Sequence, residues 1–325
     1  MILSFVEHER GTPAETSLEA LTLARRLADE AGGPVEAVAV GDEATAVADA
    51  LGEYGVETVH AVAGERLDTY APEAWGASVA QLVDDLAPAA VVAPGTDRGH
   101  EVCAHVGAKR DLPMAANCIG VESAATGEAW ELTRNRWGGS LLEHARIDAE
   151  TKLVTAAEHE YPVEAAEEGA DPAIEEFAPD LDDDHFRVRV DRVEESDVEG
   201  VPLGEARVVV GGGRGVGGPE DYDQLEELAD LLGGAVGASR AAVNEGWRPH
   251  DDQIGLTGAK ISPDVYIACG ISGAVQHMVG CKGAEAILAI NTDPEAAIMQ
   301  KGDYAVVGDL HEVIPALNDA IRDAQ

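Results

Sequence analysis

From the first residue to about 155, short apolar runs alternate with longer segments in which Ala and Leu return at helical spacing. A continuous apolar run of four to seven residues suits a strand buried on both faces. An apolar residue every three or four positions suits a helix with one side on a sheet. The pattern predicts strands at 2–6, 35–40, 56–62 and 89–93 and helices at 17–31, 43–54 and 72–86, the rhythm of βα units on a mostly parallel sheet. Thr16 or Ser17 is placed to cap the first helix, and Gly32-Gly33-Pro34 to stop it. Weaker runs predict further strands at 118–122, 129–133 and 153–157.

Between 158 and 184 carboxylates crowd around Pro162, Pro172 and Pro179, the composition of a solvated, extended connector. Alternation over 186–193 predicts a half-exposed strand at the edge of the first domain. A second block then repeats one theme. A strand at 206–210 runs into the glycines 211–218 and a helix at 220–232. A short run at 234–237 gives way to Ser239-Arg240. Strands at 265–269, 286–290 and 304–307 lead into Ser272-Gly273, Asn291 and Asp309, the first and last with helices behind them. The expectation is an α/β protein of two domains: an N-terminal βα domain, 1–190, on a mostly parallel sheet, and a C-terminal doubly wound, Rossmann-like domain, 200–325.

Composition sharpens this picture. Of 325 residues 45% are hydrophobic, while 62 Asp and Glu face 22 Lys and Arg for a net charge of −40, so a packed core is expected inside a strongly anionic shell. Nucleic acid is a poor partner for such a surface, which has no basic stripe. Only five lysines occur, and the carboxylate excess suits a protein that stays hydrated in concentrated salt; a high-salt cytoplasm is the expectation. Residues 205–325 hold 19 acidic and 8 basic residues, a net of −11, which leaves −29 on residues 1–204 and favours an anion site in the second block. Cys103, Cys118, Cys269 and Cys281 form no metal-ligand spacing, and Cys269, within the apolar run 265–269, reads as a small core residue. The N-terminus reads as a first strand, not a leader, and no apolar stretch approaches the roughly 20 residues of a membrane span, so a soluble, cytoplasmic protein is expected.

In an open parallel sheet ligands bind beyond the carboxyl ends of the strands, and the second block places Arg214, Ser239-Arg240, Ser272-Gly273, Asn291 and Asp309 at five such junctions. Gly213-x-Gly215-x-x-Gly218 matches the dinucleotide pattern, which any tight strand-to-helix turn also satisfies. Arg214 within it, beside exposed backbone N–H groups, suits a pyrophosphate. The acidic ribose ligand of an NAD site is missing. Ser272-Gly273 is expected to open a helix whose positive end faces an anion, with Gln276 and His277 one turn on; His277, protonated or hydrogen-bonded, would stabilise negative charge on a redox ring. Arg240 is either a surface cation or a ligand group. Thr257, in the glycine-bearing loop 253–258, offers a hydroxyl to a ring nitrogen.

These residues together carry a resemblance. Gly211-Gly212-Gly213-Arg214-Gly215, Val236 to Val243, Gln253-Ile254-Gly255-Leu256-Thr257-Gly258, Tyr266 to His277 and Ala289 to Pro294 resemble, in order, the FAD-binding domain of the electron transfer flavoprotein alpha subunits. Residues 1–190 are similar to that family in length, βα rhythm and Pro94-Gly95-Thr96. The resemblance implies FAD held in extended form by Arg214, Ser239, Arg240, Ile254, Gly255, Leu256, Thr257, Ser272, Gly273, Ala274, Val275, Gln276, His277, Asn291, Asp309 and Leu310. Thr257 would bond the flavin N5, and Arg240 and His277 would lie by the ring system. Leu256 stands where the family commonly has Gln, a change that a backbone contact survives and that bears only on a side-chain contact from that position. The resemblance further implies a beta subunit that carries AMP and packs on the first domain, acyl-CoA or related dehydrogenases as electron donors and a quinone oxidoreductase as acceptor. An electron carrier is expected, not an enzyme with a substrate of its own. The alternatives are an alpha subunit of an electron-bifurcating complex, a nucleotide-binding module without redox function and, less favoured, a pyridine-nucleotide dehydrogenase.

Overall fold

The computed structural model describes residues 1–123, 128–136, 141–167, 169–192, 202–204 and 206–324, which divide into two compact units, 1–192 and 202–324. In the N-terminal unit nine strands form one sheet in the order Ala173–Phe177, Val56–Val62, Val35–Val40, Ile2–Phe5, Ala90–Pro94, Lys152–Ala156, Met114–Ser123, Trp130–Arg136 and Leu141–Ile147. All neighbours are parallel up to Met114–Ser123, and the last two pairings are antiparallel. The strands Ile2–Phe5 and Ala90–Pro94 are buried at every position. Because side chains alternate across a strand, each run splits between two cores. Ile2, Ala37 and Val92 pack with Leu21, Ala24 and Leu27 of the helix Glu15–Ala31, whereas Leu3, Val38 and Val91 pack with the helices Pro72–Leu86 and Asp97–Arg110.

Several expectations are corrected here. The first helix begins at Glu15 with no side-chain cap, and Ser17 instead accepts the Glu7 amide at 2.9 Å, which ties the end of the first strand to the helix. Gly32 does end it, in the left-handed region at φ 72°. The helix expected at 43–54 contracts to Ala48–Gly52, because the residues before it form successive tight turns, Ala44 to Gly41 and Ala46 to Glu43. The helix Asp97–Arg110 has no counterpart in the apolar pattern: it is capped by Thr96, whose hydroxyl accepts the Gly99 amide at 2.9 Å, and only Val102, Cys103 and Val106 carry its apolar face.

The acidic stretch is not a free connector. Ala166 and Ala170 donate to the carbonyls of Glu53 and Gly52, and Ala173–Phe177 adds the outermost strand beside Val56–Val62. The exposed carboxylates of that strand suit an edge, where charge discourages further pairing. The strand expected at 186–193 is absent over 186–192. A short 3₁₀ turn, Asp183–Phe186, buries Phe186 under the Arg66 guanidinium instead, 3.8 Å from the ring centre; Val193 lies outside the described residues.

The C-terminal unit is an all-parallel six-stranded sheet ordered Gln253–Ile254, Ala235–Ser239, Val208–Gly212, Val265–Cys269, Ala286–Asn291 and Tyr304–Val307. Counted along the chain that is 3-2-1-4-5-6, the doubly wound order, and its direction reverses between Val208–Gly212 and Val265–Cys269. Gly211 and Gly212 belong to the first strand. A methyl group on Gly211 would lie 2.3 Å from the Tyr266 hydroxyl, and one on Gly212 would lie 2.5 Å from the Tyr222 ring on the other face. The two glycines therefore seat two tyrosines, one per face, where the strand enters its loop. The four cysteines are buried, each thiol pushed up to about 12 by desolvation. No helix among the described residues is long and apolar enough to cross a membrane.

Candidate functional site

The crevice of a doubly wound sheet opens where two neighbouring strands send their chains to opposite faces. Here Gly213 donates its amide to the Cys269 carbonyl at 2.8 Å and Gly215 donates to the Gly270 carbonyl at 3.0 Å, so the two loops are laced together. A methyl on Gly215 would stand 2.7 Å from the Gly270 Cα. These contacts correct the expectation of exposed N–H groups beside Arg214: the Gly213 and Gly215 amides serve the neighbouring loop, and Arg214 brings positive charge by its side chain.

Above this crossing lies a cavity of about 490 Å³, within the range of small-molecule sites. Its wall includes Arg214, Ser239, Arg240, Ile254, Gly255, Leu256, Thr257, Ser272, Ala274, Gln276, His277 and Asn291 from the expected set. Gly273, Val275, Asp309 and Leu310 are not part of it. Leu310 is buried beneath the Gly270 turn, and the Asp309 carboxylate accepts the His311 amide at 3.0 Å at the start of the last helix. Sequence reasoning missed Gln253 and Asp293 in the wall and Tyr266 behind it.

Several wall residues are held by identifiable contacts. Ser239 caps the helix Arg240–Asn244 by accepting the Ala242 amide, which sets Arg240 at the rim. The loop 253–258 rests on the next segment through Leu256 N–H to the Gln276 carbonyl, 2.7 Å. Gln253, buried, donates from Nε2 to Thr257 Oγ1 at 3.1 Å, so the Thr257 hydroxyl keeps its own proton for an acceptor in the cavity. Asn291 donates to the Ile271 carbonyl at 2.8 Å. Ser272 does not cap a helix: the following helix is Val275–Gly280, six residues long, with Ala274 at its cap.

The charges are few and distinct. Arg214 and Arg240 are exposed and form no ion pair with the described residues, while Asp293 supplies one carboxylate. In a chain of net charge −40, two unpaired guanidiniums on one cavity mark a place for an anion. His277 is not a third cation. Burial pushes its pKa from 6.5 down to about 4, opposed by the nearby Ile254 backbone carbonyl, and no hydrogen bond of normal geometry reaches its buried Nδ1. Because the folded chain resists protonation that the unfolded chain accepts, stability present above pH 6.5 is lost as the pH falls toward 4. The interval corresponds to on the order of 3 kcal/mol. Urea unfolding at pH 7 and pH 4.5 is expected to show a smaller acid loss in His277→Gln than in the parent, and equal losses would contradict the neutral imidazole.

The mostly apolar wall, paired cations and hydroxyl donors fit a dinucleotide with an aromatic ring system. Residues 202–282 match the electron transfer flavoprotein FAD-binding domain, and residues 2–182 match the electron transfer flavoprotein domain. The chain belongs to the electron transfer flavoprotein family. It is similar over nearly its full length to proteins named electron transfer flavoprotein subunit alpha. That of Thermoanaerobacterium thermosaccharolyticum is 33% identical, covering 98% of this chain and 96% of the relative. That of Mycobacterium leprae is 36% identical, covering 98% of each. Protein FixB of Clostridium saccharobutylicum is 32% identical over 96% of this chain and 93% of its own length. The electron transfer flavoprotein domain thus lies on the N-terminal unit and the FAD-binding domain on the C-terminal one, and FAD is the cofactor of the family's site.

Proposed function

We propose that this chain is the alpha subunit of a heterodimer, holding FAD in the cavity described above while a beta subunit carrying AMP packs against its N-terminal domain. In this reading the complex takes electrons from acyl-CoA and related dehydrogenases and delivers them to a quinone oxidoreductase, in a cytoplasm rich in salt. The observation that carries it is the pair of unpaired guanidiniums, Arg214 and Arg240, on a cavity at the switch point of a doubly wound sheet.

Bound FAD supplies an isoalloxazine ring that accepts and releases electrons. The protein's part is to bind and to set charge. Arg214 at the laced loops and Arg240 at the rim offset negative charge on the cofactor's phosphates and on its ring. Thr257 presents a hydroxyl proton whose direction Gln253 fixes, which suits a bond to flavin N5. Ile254, Leu256 and Ile271 would offer apolar surface to a bound ring system.

Counting the cofactors released from the chain co-purified with its partner tests this. One FAD and one AMP per heterodimer is the expected result. Two FAD would replace the carrier with an electron-bifurcating complex, and a colourless complex without flavin would overturn the reading.

A further inference from the structure

Tyr266 stands in the central strand Val265–Cys269 with no exposed surface, its ring seated on Gly211. Its hydroxyl lies 2.8 Å from Nε2 of His277, and His277 Nε2 is its one hydrogen-bond partner among the described residues. A phenolic O–H in a dry interior must give its proton to an acceptor. An imidazole nitrogen that accepts carries no proton, so the proton of the neutral ring resides on Nδ1. Nδ1 is the buried atom noted above, reached by no hydrogen bond of normal geometry, on a residue that lines the cavity.

We propose that Tyr266 is a positioning residue of the flavin site: its phenol fixes His277 as the neutral Nδ1–H tautomer, so that the histidine offers the bound FAD an uncharged N–H donor in place of a cation. The inference rests on the FAD site identified above and deepens it.

The opposite arrangement is disfavoured by the same geometry. Were Nε2–H to donate to the phenolic oxygen, the Tyr266 proton would have no acceptor, and a buried unsatisfied donor costs about 1–3 kcal/mol. Proton transfer between the pair is blocked as well, because burial drives the tyrosine pKa well above 10 and the histidine pKa down to about 4. Gly211 is part of the device, since any side chain there would displace the hydroxyl. The work of the site is thereby divided: Arg214 and Arg240 supply charge, and His277 supplies an oriented dipole to a carbonyl oxygen or ring nitrogen of the isoalloxazine.

The test uses the full-length, FAD-loaded chain with ¹⁵N-labelled histidine, as parent and as Tyr266→Phe, which keeps the ring and removes the hydroxyl. In the parent, the imidazole spectrum of His277 at neutral pH is expected to show an acceptor-type Nε2 and a protonated Nδ1. In Tyr266→Phe the tautomers mix, FAD stays bound, and the reduction equilibrium of the flavin shifts by up to about tenfold toward the oxidised form, the scale of one hydrogen bond. An imidazolium, or a parent protonated at Nε2, overturns the proposal. So does a Tyr266→Phe variant with unchanged tautomer and unchanged potential. If the variant does not fold, the parent spectrum still decides the tautomer. A chain that takes up no FAD fails the cofactor assignment alone, and the same spectrum of the flavin-free chain then decides the tautomer.

Discussion

Gly273→Val is expected to lose about two orders of magnitude in affinity for FAD. Gly273 sits at φ 77°, where a side chain costs about 1–2 kcal/mol. Its Cβ would also stand 2.3 Å from the Ile298 amide nitrogen and 2.8 Å from that residue's Cα. Those are backbone atoms, so the segment must move, at a further cost of about 1–3 kcal/mol. What moves is the wall itself, because Ser272 and Ala274 line the cavity and the Ser272 carbonyl accepts the Ile298 amide at 3.2 Å. With about 1.4 kcal/mol per factor of ten, the combined penalty corresponds to roughly a hundredfold. Gly233→Ala is the control: it is also left-handed, at φ 64°, but open space surrounds it, so it should cost some stability and leave FAD affinity unchanged. Titration of FAD against the three proteins measures this, and normal affinity in Gly273→Val would refute the packing argument.

Transfer from 1 M to 0.01 M salt is expected to cost several kcal/mol of folding stability. A net charge of −40 over 15890 Å² is one charge per roughly 400 Å², or about 20 Å between neighbours. The screening length is about 3 Å at the first salt concentration and about 30 Å at the second, so withdrawal turns repulsion on between every neighbouring pair. Each pair at that separation in water is worth only about 0.2 kcal/mol, but with about six neighbours per charge the whole surface reaches on the order of 20 kcal/mol. A typical stability is about 5–15 kcal/mol, and an expanded chain keeps part of the repulsion, so a loss of several kcal/mol remains. Because −29 of the charge lies on residues 1–204, the N-terminal unit should become protease-sensitive first. Unfolding curves that superimpose at both salt concentrations would remove the adaptation to salt from the proposed function.

Periodicity made the sheets legible, because strands buried on both faces are apolar without interruption. It failed where burial is carried by something other than an apolar side chain. The helix Asp97–Arg110 packs partly through Gly99 and Gly107, and glycine has no hydrophobic signature. The strand Ala173–Phe177 is an exposed edge made of backbone pairing, so its side chains read as a connector. At the site, residues at strand ends were found because topology alone places them there. Gln253 and Tyr266 were missed because each acts through another residue: only contact reveals that Gln253 aims Thr257 and Tyr266 faces His277. The glycine run stays open in sequence between a tight turn and a phosphate loop, because N–H groups spent on a neighbouring loop look the same there as free ones.

The position of Lys152–Ala156 sets an order of assembly during synthesis. The first four strands of the sheet become neighbours as they emerge, and the antiparallel group 114–147 pairs locally. Between these two pieces the sheet has a gap one strand wide, which belongs to residues made after both. A nascent chain that ends at residue 147 therefore carries two open inner edges, the kind of surface that pairs with the wrong chain. The next nine residues close both edges at once, so Val154→Pro, which leaves the separate pieces intact, should halt the domain at its joining step.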